Sequence, residues 1–151
     1  LDPTSQDAAA RDHRPVFIDS CAVNRFALVN IDPTKDLAGS AFAVAYTPGL
    51  RTEYRGALAH RYVEPHIKAL LAKFLEKGVL HGAEMPTENA DLHLVLLSQT
   101  EIVITMDRRP PWNRAQSNPG LIFWPDIEDA LREHQSLLPI LLAHAAAMAG
   151  R

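Results

Sequence analysis

What this chain lacks narrows it first. It holds one cysteine, Cys21, in 151 residues, so no intramolecular disulfide can form and a reducing compartment fits it. No apolar run is long enough to span a bilayer, and the N-terminal stretch has no signal-peptide core, so no membrane is expected. Lysine is scarce, 4 residues against 11 arginines, and the net charge is −3. That balance gives no global basic field. There is no internal repeat and no low-complexity linker. The chain opens on Leu1 rather than Met, which reads as a trimmed or partial sequence, and the cytoplasm is the default location.

What is present suits one folded unit. With 47% hydrophobic residues the chain can bury a real core. Residues 1–14 are polar and read as a flexible tail, and residues 15–151 as a single domain closed by a C-terminal helix. Pro15 is expected to precede a first strand at about 16–19. Ser20 to Asn30 then reads as a helix, and Asp32-Pro33-Thr34 starts a short one ending near Gly39. Residues 42–46 suit a strand buried on both faces, as parallel strands are. Thr47-Pro48-Gly49 reads as a turn. From Pro65, apolar residues recur at helical spacing up to Gly78, and 79–81 suits a short strand. Thr87 to Gln99 reads as a helix capped by Thr87 or Asn89, with Leu92, Val95, Leu96 and Gln99 on one face. Residues 102–106 form the clearest strand, and 121–124 another. Asp126 opens a C-terminal helix that Pro139 kinks or splits. Strands alternating with helices predict a three-layer α/β domain with a mostly parallel sheet of about five strands.

Four carboxylates carry the chemistry: Asp19, Glu53, Asp91 and Asp107. Asp19 closes the run Val16-Phe17-Ile18, and Asp107 follows Ile102 to Met106. Glu53 comes shortly after the run 42–46, and Asp91 lies near a helix start. In an open parallel sheet, the loops leaving the strands' carboxyl ends share one crevice, where ligands bind. Acids gathered there repel one another unless a cation neutralises them or some hold protons. An all-oxygen set suits Mg²⁺ or Mn²⁺. Ser20 and Thr105 sit where a hydroxyl would orient Asp19 and Asp107. Arg51, Arg55 and Arg61 surround Glu53, and Arg108, Arg109 and Arg114 follow Asp107. Beside an acidic metal crevice, such arginines can grip phosphates bidentately.

These pieces, taken in order, resemble the PIN domain family, the nuclease fold of toxin endoribonucleases and RNA-processing enzymes. The matching segments are Phe17-Ile18-Asp19-Ser20, Arg51-Thr52-Glu53-Tyr54, Asp91 to Leu97, and Ile102 to Asp107 with Thr105 in the strand. The sixteen-residue step from Asp91 to Asp107 spans one helix and one strand, as the family pattern does. The resemblance covers roughly residues 16–130. It implies a metal-dependent endoribonuclease with Asp19, Glu53, Asp91 and Asp107 around Mg²⁺ or Mn²⁺, hydrolysing RNA to a 5′-phosphate and a 3′-hydroxyl. For a toxin-type member it implies a cognate antitoxin and a homodimer. The chain departs from the pattern after Asp107: Arg109, Pro110 and Pro111 stand where many members carry a further acid. That departure favours a second reading, a non-catalytic module that binds RNA or protein.

Other residues have plainer readings. Taken singly, Asp19 is a helix cap, Asp91 a partner for a helix dipole, Asp107 a turn residue, and Glu53 a partner of Arg51 or Arg55. His60, His66 and His93 match no zinc spacing, and His93 is expected at the surface or an interface. Cys21 reads as packing behind Asp19, and Trp124 as core. Trp112, between prolines and arginines, has two readings, a surface that stacks on a base or an oligomer contact. A receiver-like phosphoacceptor domain would need an acidic neighbour for Asp19 and a late lysine, and no Lys follows residue 77.

Overall fold

The computed structural model describes residues 13–82 and 89–150. Among them, five strands form one sheet: β1 (Arg14–Ile18), β2 (Phe42–Tyr46), β3 (Val79–Leu80), β4 (Ile102–Thr105) and β5 (Leu121–Phe123). Their order is β3-β2-β1-β4-β5, and every pairing is parallel. Parallel neighbours need crossovers: α1 (Ser20–Leu28) and α2 (Pro33–Asp36) join β1 to β2, α3 (Pro48–Ala59) and α4 (Pro65–Lys77) join β2 to β3, and α5 (Ala90–Leu97) lies between β3 and β4. A loop with the 3₁₀ turn Trp112–Arg114 joins β4 to β5, after which come α6 (Trp124–His134) and α7 (Leu138–Ala149). The expected α/β class therefore holds.

Successive strand residues point to opposite faces. Val16, Phe17 and Ile18 of β1 and Ile102, Val103 and Ile104 of β4 are all buried, so helices cover both faces of the central strands. From β1 the chain moves outward to β2 and β3, then returns to lay β4 and β5 on the other side. The order thus reverses between β1 and β4. Beyond the carboxyl ends of those two strands lies the crevice in which this class of sheet binds ligands.

Local chemistry fixes most element ends. The α4 stripe Leu70, Leu71 and Phe74 faces inward, and each such side chain contributes about 1.5–3 kcal/mol on burial. Pro139 begins α7 rather than kinking one long helix, and Gln135 breaks the chain in the left-handed region at φ 54°. Gly120 closes the α5–β4 connection, its N–H donating to Ser98 O at 2.8 Å while its carbonyl accepts from Val103 N at 2.9 Å. A Cβ there would collide with the Glu101 carbonyl.

Several expectations are corrected. Arg14 and Pro15 lie inside β1, pairing with Phe42 and Ala43, so the tail is shorter than 1–14. Pro15 is tolerated because Arg14 N–H bonds the β2 side and the pairing with β4 begins only at Val16, so the missing Pro15 N–H has no strand to meet. Residues 1–12 of that tail, and the segment Met85 to Glu88 before α5, lie outside the described residues. Thr47-Pro48-Gly49 is no free turn: Thr47 Oγ1 accepts from Leu50 N at 3.0 Å and caps α3. Trp124 begins α6 instead of ending β5, yet it is core as expected. The α5 face is rotated from expectation. His93 and Leu94 are buried, whereas Leu92 and Leu96 are 43% and 53% exposed. An almost wholly apolar helix has no periodicity to choose a face, so tertiary packing chooses it. Trp112 is fully buried in a short 3₁₀ turn, which removes both surface readings of it.

Candidate metal centre

Asp19 extends β1 by one backbone bond, its N–H donating to Ile104 O at 2.9 Å. Its side chain is buried, and two donors meet the same oxygen. Thr105 Oγ1 donates to Oδ2 at 2.8 Å, and Cys21 Sγ donates to it at 3.1 Å. Burial pushes the Asp19 carboxyl up from its ordinary range against the pull of those donors, and Asp107 adds to the rise. Thr105 Oγ1 also accepts from Asp107 N at 3.0 Å, so one hydroxyl ties the ends of β1 and β4 together.

Glu53 reaches the same place from α3. Its neighbour Tyr54 is buried and donates its hydroxyl to the Ile18 carbonyl, which pins α3 to the last residue of β1. Gly49, earlier on α3, makes room for α5: a Cβ there would lie 2.9 Å from Ala90 Cβ. Two close approaches thus bring Glu53 beside Asp19 on one side and Asp91 on the other. Carboxylate oxygens of Asp19, Glu53 and Asp91 all lie within 4.8 Å of one another.

Glu53 is the strained member electrostatically. Ser20 Oγ donates to its Oε1 at 3.5 Å, while Oε2 is buried and takes no hydrogen bond. Burial, then the charges of Asp19 and Asp91, push its carboxyl up to about 7. Asp91 is raised as well, by burial and by Asp19 and Asp107. The Trp112 indole N–H closes no hydrogen bond in the chain, but it lies near enough to Asp91 to favour its charged form.

Asp107 stands apart from the three. Arg109 donates to it through Nε at 3.0 Å and Nη2 at 3.0 Å, and its backbone N–H adds a third bond at 2.8 Å. Those bonds hold the Asp107 carboxyl below its ordinary range. Asp107 is thus at the expected sheet edge, but the three-acid cluster forms without it. Arg109, expected to meet RNA, is engaged with Asp107 although its side chain is 85% exposed. Arg108 lies over the Phe123 ring at 4.7 Å, and Arg114 and Arg55 are exposed, with Arg51 half-buried. Neither Arg51 nor Arg55 forms an ion pair with Glu53.

Ser20 and Thr105 are donors, but to Glu53 and Asp19 rather than to Asp19 and Asp107 as expected, and Cys21 is a donor too, where only packing was expected. Its position two residues past Asp19, on the first turn of α1, is the signal that was there to read. Burial and Asp19 hold the thiol up at about 11, so it stays an S–H donor rather than a thiolate ligand. His93 is buried, and burial and then His81 lower the pKa of its ring, correcting the expected surface position.

The residues fit a hard divalent cation on three counts. The donor set is all oxygen, the three acids share one volume, and a buried Glu53 oxygen has no partner within the chain. No Lys or Arg forms an ion pair with Asp19, Glu53 or Asp91 among the described residues; Arg109 eases Asp91 only from a distance. No family model matches this chain, and no curated protein is similar to it. Among the described residues, no helix is long and apolar enough to cross a membrane.

Proposed function

We propose that this chain is a metal-dependent endoribonuclease of PIN type, hydrolysing RNA phosphodiester bonds with Mg²⁺ or Mn²⁺. The observation that carries the reading is the cluster of Asp19, Glu53 and Asp91 at the switch point of a parallel sheet, with Glu53 Oε2 unpartnered. Asp19, Glu53 and Asp91 would hold the cation. When bound, it supplies a lowered pKa for water and charge compensation for the phosphoryl oxygens.

The chain's own groups do the rest. Thr105 and Cys21 fix the rotamer of Asp19 by occupying Oδ2. Ser20 orients Glu53, whose carboxyl is pushed up to about 7 without a cation and would give up its proton when one binds. Arg108 and Arg114, exposed beyond β4, and Arg51 and Arg55 on α3 supply cations for the phosphates of the flanking nucleotides. The test is cleavage of a labelled single-stranded RNA in millimolar Mn²⁺, with products checked for 5′-phosphate ends. Asp19→Asn is expected to remove cleavage, and chelation to do the same. A wild type that binds RNA and never cuts it in Mn²⁺ overturns the reading.

A second reading has one observation in its favour. The Asp107–Arg109 pair withholds the fourth acid, leaving the three-acid cluster one ligand short of the set the sequence pattern implies. That arrangement suits a module that binds RNA through its arginines without cutting it. Wild-type binding without cleavage is its signature. The toxin-type form of the first reading carries a homodimer and a small cognate antitoxin as partners, which sedimentation of the purified chain alone and with a candidate neighbour protein would test.

A further inference from the structure

A cavity of about 420 Å³ opens beside the acid cluster and runs outward between α1, the α3–α4 loop and α4. At its inner end are Ser20 and Cys21, the residues that donate to Glu53 and Asp19. Its floor is apolar, with Ala57, Ile67 and Leu71. At its outer end is Tyr62, which at 76% exposure is the most open large apolar side chain among the described residues. Exposed aromatic rings are uncommon without a partner, and this one is held in place. Arg61 lies over the ring at 4.7 Å and donates to the Tyr62 hydroxyl at 2.7 Å. His60 accepts the Tyr62 backbone N–H at Nδ1, 3.2 Å, and its ring sits 5.5 Å from the tyrosine's.

We infer that the His60-Arg61-Tyr62 turn is a stacking platform for an unpaired nucleobase next to the phosphate held at the acid cluster. Its location rests on the nuclease reading. The platform itself rests on the exposed ring, the cation beside it and the cavity that joins the ring to Ser20 and Cys21. An aromatic face and a guanidinium plane both stack on bases, and every base offers a π-face, so the platform selects single strands over duplex rather than one base over another. The apolar floor takes the rim of the base, and Arg61 adds a charge for the neighbouring phosphate.

The test is fluorescence anisotropy of a labelled single-stranded oligoribonucleotide and of its duplex, titrated with the full chain, without divalent cation and again in Mg²⁺. Tyr62→Ala is expected to weaken single-strand binding about tenfold while leaving duplex binding and the salt dependence unchanged, since stacking releases no counterion. Tyr62→Phe keeps the ring and is expected to restore the affinity. Arg61→Ala is expected to shallow the salt slope by about 0.7 for each phosphate that the guanidinium neutralises. An unchanged affinity in Tyr62→Ala overturns the platform, as does an equal weakening in Tyr62→Phe or an equal weakening on duplex. A folded Tyr62→Ala, checked by its melting curve, excludes unfolding as the cause. The two readings fail separately. Cleavage by wild type with undiminished binding in Tyr62→Ala sinks the platform and keeps the nuclease. Stacking-dependent binding without cleavage does the reverse.

Discussion

The Tyr54 hydroxyl donates to the Ile18 carbonyl, and each of these residues is the chain neighbour of a cluster acid, Glu53 and Asp19. One buried bond between α3 and the end of β1 therefore sets the distance between two carboxylates that would otherwise move apart. Burial, and then the charges of Asp19 and Asp91, push the Glu53 carboxyl up to about 7. The fold holds them together with no Lys or Arg paired to either among the described residues.

Tyr54→Phe removes that donor and leaves the Ile18 carbonyl buried and unpaired. Such a group costs about 1–3 kcal/mol, and the cavity left by one oxygen is small. Urea denaturation of the variant is expected to show a loss in that range with an unchanged m-value. Because α3 is no longer pinned, the stabilisation conferred by Mn²⁺ should shrink as well. A stability equal to wild type would mean that α3 is held by packing alone.

A second expectation concerns pH. Glu53 has an ordinary carboxyl pKa of 4.5 when unfolded and about 7 in the fold, so the folded state binds more protons between those values. The stability of the metal-free protein then falls as pH rises. The contribution of Glu53 is fully present below pH 4.5 and is lost as pH passes about 7. Asp19 and Asp91, raised in the same sense, add to the slope. Thermal melts across this window are expected to show a falling melting temperature without metal, and a flatter profile in Glu53→Gln. Saturating Mn²⁺ should reverse the trend, since cation and proton compete for the same oxygens; at 100 times its dissociation constant a ligand adds about 2.7 kcal/mol. A metal-free melting temperature that rises from pH 5 to 7 would refute the charge cluster.

Gly49 is where α3 and α5 touch, with 2.9 Å between a built Cβ and Ala90 Cβ. In Gly49→Ala, helix propensity gains up to about 1 kcal/mol, while overpacking costs about 1–3 kcal/mol. The net stability change is therefore small and unfavourable. The functional change should be larger, because the helices must separate and Asp91 moves with α5. Calorimetric titration is expected to show weaker Mn²⁺ binding in a variant whose melting curve is close to wild type. Wild-type metal affinity would show that the two helices adjust elsewhere.

The sheet and the order of its acids were legible because they rest on strong local signals. Apolar runs ending in Asp19 and Asp107 are parallel strands whose carboxyl ends share an edge, and Gly78 and Pro139 mark real helix boundaries. Distances between side chains were not legible. Arg109 lies two residues past Asp107 and folds back on it, a contact that depends on the path of the loop rather than on spacing. The burial of His93 was missed for the same reason that α5 was rotated: a helix apolar on every side takes its orientation from its neighbours. Gly49 and Tyr54 position the site through contacts distant in sequence, with Ala90 and with Ile18. Nothing local announces such contacts.

The Asp107–Arg109 pair decides whether the fourth acid can serve. Arg109 is 85% exposed, so solvent screens its hold on Asp107. A divalent cation that gains a further carboxylate ligand can therefore outcompete the guanidinium. In Arg109→Ala, the Asp107 carboxyl keeps the backbone bond but loses the two side-chain bonds that hold it low, and is expected to rise toward its ordinary range. With the competitor gone, Mn²⁺ should bind more tightly. Asp107→Asn should weaken it in either background. Isothermal titration of wild type, Arg109→Ala and the double variant separates the cases. If removing Arg109 tightens binding only when Asp107 is present, Asp107 is a ligand that the arginine holds in reserve. If neither change moves the affinity, the site is complete with Asp19, Glu53 and Asp91, and Asp107 serves only to anchor the loop through Arg109.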